Sequence, residues 1–199
     1  MIHHGGPAQM DRRQILKGVA WGALLTGFAA WAEADAASLG FDRQKVDAHR
    51  QLFDLSCIPS GVEMILKLTG RVPQDYFMLQ QAWKNRDVGT FADFDHRKVA
   101  GVAFRRRFPM ARGPKFPLKS LFGAIDGELT HGRYVLVSLN NGDPGGYHIW
   151  VIVQRLEGGE YRALSKDGQE TIEITDTRKQ IEAMQGTDIL TYSLSNSMR

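Results

Sequence analysis

The sequence predicts an α+β domain behind a short leader, and three observations carry that prediction. Apolar residues recur at helical spacing within 57–70, 73–85 and 118–130. Short β-branched and apolar runs separated by Gly, Asp and Asn turn signals fill 134–194. The two patterns are segregated, helices first and an antiparallel sheet after, which is the α+β order. Composition agrees: 199 residues that are 43% hydrophobic and 24% charged suffice for one core. A formal charge of +3 is too weak a field to argue for nucleic acid, and no nucleic-acid partner is expected.

Residues 1–36 read as a cleavable export signal. Arg12 and Arg13 precede an apolar run from Val19 to Trp31, diluted by Gly and Ala, and small residues follow up to Ala36. The pair, followed by Gln14-Ile15-Leu16-Lys17, resembles the twin-arginine export motif. The run is shorter than the roughly 20 residues that span a bilayer, so no membrane span is expected after signal removal and a periplasmic or secreted location follows. Removing the leader takes three basic and three acidic side chains and leaves the charge at +3.

Within the domain, 37–199, the region from Val46 to Gly70 reads as helical with a break near Cys57. In SGVEMILKLTG the residues Val62, Ile65, Leu66 and Thr69 share a face, Pro59 suits a first turn, and Gly70 suits a left-handed cap. A second helix is expected over 73–85. The stretch from Arg86 to Pro117 has no sustained period and reads as mostly loop, with a short helix or strand. A third helix is expected from Leu118 to Thr130. Strands are expected at 134–139, 148–156, EYRALS, ETIEI and DILTYSL, with a short helix at 177–185.

Cys57 is the only cysteine, so it forms no disulfide within the chain and is either a small buried side chain or a reactive thiol. At a helix start the partial positive charge of the N-terminus favours a thiolate, and an imidazole nearby would favour it further. Among six histidines, His148 opens an apolar strand directly after Gly145-Gly146-Tyr147, where it could face a helix start across a groove. Gln51 lies six residues before Cys57 and could donate an N–H to an oxyanion. Asp167 follows the strand EYRALS and could orient the imidazole.

These residues resemble a papain-like cysteine peptidase, most closely the small C39-type, bacteriocin-processing peptidases. The resemblance rests on QLFDLSCIPSGVEMILKLTG, on GRYVLVSLNN followed by GGYHIWVIVQ, and on EYRALS with KDG. It covers about Val46 to Asp167, and the separation of 91 positions from Cys57 to His148 suits the compact domain better than the papain spacing. It implies a papain-like fold, a catalytic set of Cys57, His148, Gln51 and Asp167 or Ser165, a peptide or protein substrate, and no cofactor or metal. The chain departs from the family pattern where Ser56 and Ile58 stand in place of its acidic residue and glycine, and LSKDG replaces its aspartate-proline pair.

The expectation is therefore an exported cysteine hydrolase acting on an amide bond. The alternative is a catalytically silent C39-like module that binds a peptide in the same groove and serves an export or assembly system. Arg105-Arg106-Arg107, with Arg112, Lys115 and Lys119 and with Phe104, Phe108 and Phe116 interleaved, fits either a solvated loop, the preferred reading, or a patch for nucleic acid, anionic lipid or an acidic partner. Asp93, Asp95 and His96 lack a second ligand set, and no metal is expected there.

Overall fold

The computed structural model describes residues 41–86, 89–140, 147–167 and 170–194, and of Asp167 only the backbone. The leader and the NGDPGG connector at 141–146, including Gly145 and Gly146, lie outside the described residues. Four helices are described, α1 Cys57–Leu68, α2 Met78–Trp83, α3 Leu118–Thr130 and α4 Thr177–Ala183. The strands are β1 Lys98–Val99, β2 Val102–Arg107, β3 Val135–Asn140, β4 Tyr147–Arg155, β5 Tyr161–Asp167, β6 Glu170–Ile174 and β7 Ile189–Leu194. They form one antiparallel sheet in the order β1-β2-β7-β3-β4-β5-β6. Helices with such a sheet make an α+β architecture.

One expected element differs, and one left open is placed. The helical reading before Cys57 is corrected: a 3₁₀ turn at Arg43–Val46 is followed by irregular chain until α1. The stretch 86–117, expected to be mostly loop with a short helix or strand, holds a 3₁₀ turn at Phe91–Phe94 and the strand Val102–Arg107, which β7 from the C-terminus pairs along all six residues. That long-range pairing has no local signature in an Arg-rich run.

The sheet is covered on both faces. On one face Val62, Ile65 and Leu66 of α1 share a core with Phe104, Leu136, Ile149, Val151 and Leu190. On the other, Leu121 and Ile125 of α3 and Ile181 of α4 pack with Val135, Val137, Leu139, Trp150 and Ile152. Each such aliphatic side chain contributes about 1.5–3 kcal/mol by leaving water. Gly61 lets α1 sit close to the sheet: a Cβ there would lie 2.8 Å from side-chain methyls of both Ile149 and Leu136. Gly70 ends α1 at φ 65°, and bonds from Gly70 N–H to Lys67 O and from Arg71 N–H to Leu66 O complete a Schellman motif.

Candidate functional site

Cys57 is the first residue of α1 and is partly buried. Burial dominates its chemistry and pushes the thiol above its ordinary pKa; the backbone N–H groups of Ile58 and Cys57, aimed at the sulfur, pull the other way but do not overcome it. No side chain among the described residues hydrogen-bonds the sulfur.

The position of His148 follows from strand parity. Ile149 and Val151 belong to the α1 face, whereas Trp150 and Ile152 belong to the α3 face. His148 therefore lies on the α3 face, and the register agrees: its cross-strand partner Leu139 is fully buried in that second core. Its ring stands edge-on to Trp150 at 5.9 Å, and its Nε2 meets Ser165 Oγ at 2.5 Å. Because Ser165 Oγ donates to Ile149 O at 2.9 Å, it accepts from His148, so Nε2 carries the proton. Parity thus puts the expected partners Cys57 and His148 on opposite faces of the sheet, and Tyr147 and Ile149 take the strand positions that line the Cys57 groove.

One other assignment changes, and one left open gains a contact. Gln51 uses both amide N–H groups on its own loop, donating to Phe53 O at 2.9 Å and Asp54 O at 3.0 Å. It shapes the turn before Cys57, and neither donor is left for an oxyanion. Of the two acids or hydroxyls considered for orienting His148, Ser165 makes the described contact. Asp167 pairs through its backbone with Glu170, and its side chain lies outside the described residues.

What surrounds Cys57 is a groove of about 260 Å³. Ile58, Phe91 and Ile149 supply apolar walls, Tyr147 is 49% exposed at its mouth, and Ser138 offers a hydroxyl. Arg106 and Asp188 form an ion pair within it, with both Nε and Nη2 at 2.8 Å from Oδ2. Arg112 lies over the Tyr147 ring at 4.2 Å and donates to Ser138 O at 3.3 Å, fixing that wall from behind.

Beneath the groove runs a buried polar network that the sequence reading missed. Ser60, Glu63 and Lys67 form a polar stripe along α1, a helix whose residues from Ile58 to Leu68 are all buried, so each polar group must find a partner. Glu63 accepts from the N–H groups of Leu79 and Gln80 and from Gln80 Nε2 at 2.7 Å. Gln80 in turn accepts from Leu52 N–H and Ser56 Oγ and donates to Arg50 O. His49 meets Ser60 through Nε2 and the Lys67 ammonium through Nδ1 at 2.9 Å. Burial, with the Lys67 charge adding to it, lowers the His49 pKa to about 3, and burial lowers Lys67 to about 8. This network clamps 49–56 and so sets where Cys57 begins. The 3- and 4-residue spacing of Ser60, Glu63 and Lys67 in an otherwise apolar helix was its available signal.

Four of the remaining sequence candidates have structural roles. Asp93 caps the turn at Thr90 and pairs with Arg86, and Asp95 accepts from Arg106 N–H. Phe104 and Phe116 are buried in the two cores. No helix among the described residues is long and apolar enough to cross a membrane. Compared with protein-family models and with curated proteins, the chain matches none.

Proposed function

We propose that this chain is a C39-like, papain-like domain that binds an extended peptide in the groove beside Cys57 without cleaving it, after export directed by residues 1–36. The observation that carries this reading is the parity of β4, which turns Tyr147 and Ile149, not His148, towards the thiol. A groove with apolar walls, an exposed aromatic and a few fixed polar groups suits peptide side chains and backbone. Burial of Cys57 and the replacement of the family's glycine by Ile58 favour binding over nucleophilic attack. Cys57 then serves as a small apolar wall of the groove.

The hydrolase reading keeps one favourable observation, the two backbone N–H groups aimed at the sulfur. It requires β4 to slip by one residue, which would exchange the faces of Tyr147 and His148. Iodoacetamide alkylation across pH separates the two. In the binding reading Cys57 reacts with an apparent pKa above the free-thiol value of about 8.5, fluorescein-labelled casein is bound and left uncut, and Cys57→Ala binds it equally. Casein cleavage that disappears in Cys57→Ala, with a thiolate already present below pH 7, would establish the hydrolase instead.

A further inference from the structure

The arginine run at 105–107 divides across β2. Arg106 turns to the Cys57 groove and Asp188. Arg105 and Arg107 turn to the opposite face, where they line a second cavity of about 750 Å³ with Arg133, Glu128, Thr191 and Ser193; Arg106 borders this cavity as well as the Cys57 groove. Three guanidinium groups meet a single carboxylate there. Glu128 is engaged by Arg133 Nε at 2.5 Å and by Arg107 at 3.7 Å, and Arg105 has no ion-pair partner among the described residues.

The floor is built to stay open. Ala103 and Ser193 are small, and the Thr191 hydroxyl turns back to Arg105 O, so no bulky side chain fills the space over the β2–β7 ladder. One wall carries backbone strain: Phe108, a bulky residue, sits at φ 58°, with its ring 6.3 Å from Phe116 and the Arg107 guanidinium 5.6 Å from its centroid. Such strain persists where the surroundings impose it and concentrates at functional sites. Met110, 47% exposed, adds an apolar lip.

We infer that this cavity is a docking groove for an acidic, extended peptide segment of a partner protein. Arg105 and Arg107 are two residues apart on a strand, about 6.6 Å, which matches carboxylates at alternate positions of an extended peptide; the Met110 lip takes an apolar side chain beside them. A nucleic acid fits less well. Phe108 is occupied by Arg107 and Phe116, so no open aromatic platform remains for bases, and Glu128 opposes a dense phosphate array.

The test uses the full chain and a fluorescein-labelled peptide GESELG, with GQSQLG, inorganic phosphate and a 12-base-pair DNA duplex as comparisons. GESELG should bind at least tenfold more tightly than GQSQLG, and more weakly as salt is raised. Arg105→Glu, an exposed site whose change leaves the thermal melt in place, should weaken GESELG at least tenfold. Tyr147→Ala, in the Cys57 groove, should leave GESELG binding unchanged, so the two grooves fail or succeed separately. Equal binding of the two peptides, or indifference to Arg105→Glu, overturns the proposal. Tighter binding of phosphate or of the duplex than of GESELG overturns the peptide assignment.

Discussion

Replacing Gln80 by Leu tests whether the buried network positions the start of α1. The side chain is fully buried and makes four bonds: from Leu52 N–H at 2.7 Å, from Ser56 Oγ at 2.9 Å, to Arg50 O at 3.0 Å and to Glu63 Oε2 at 2.7 Å. Two partners keep alternatives, since Ser56 also donates to Phe53 O and Glu63 retains two backbone donors. Leu52 N–H and Arg50 O lose the bonds described for them. A buried group left unpaired costs about 1–3 kcal/mol and a hydrogen bond to a charge about 1.5–3 kcal/mol. Leucine recovers part of this as apolar burial, so the expected loss is about 3 kcal/mol. With a urea m-value near 2 kcal/mol/M, the midpoint should fall by about 1.5 M. Because the clamp on 49–56 loosens, iodoacetamide should also reach Cys57 faster under native conditions. A midpoint shift below about 0.5 M with unchanged alkylation would refute the positioning role.

Three further outcomes follow from the same geometry. His49, with its pKa lowered from 6.5 to about 3, contributes stability that is complete above pH 6.5 and is lost as pH falls towards 3. At pH 5 that loss is about 2 kcal/mol, and the slope should flatten in urea melts of His49→Gln. Gly61→Val places methyls against Ile149 and Leu136 and should cost about 1–3 kcal/mol by overpacking, visible as a lower thermal midpoint; an unchanged midpoint would contradict the close helix–sheet approach. Ser165→Ala removes the acceptor of the His148 Nε2 proton and should cost about 1–2 kcal/mol while leaving the Cys57 alkylation profile unmoved. A shift in that profile would mean that His148 reaches the thiol after all.

Much of the fold and part of the site were legible in the sequence because they rest on local rules. Helical spacing with Pro59 early and Gly70 at the end defines α1 and places Cys57 at its start. Alternating apolar runs with Gly158-Gly159 and Asp167-Gly168 between them define the later strands, and the period of two already puts His148 and Trp150 on one face and Tyr147 on the other. What periodicity alone could not say is which of those faces meets α1. Both faces of β4 are apolar, Ile149 and Val151 on one and Trp150 and Ile152 on the other, so either could take the helix. Tertiary packing decided it: Gly61 opens a place for Ile149 and Leu136, while Trp150 finds Tyr161 and the residues of α3 on the far side. Since alternate residues of a strand point opposite ways, that one choice carries His148 away from Cys57. The same packing turned Arg106 into one groove and Arg105 with Arg107 into another, and gave Glu63, Gln80 and His49 partners distant in the chain.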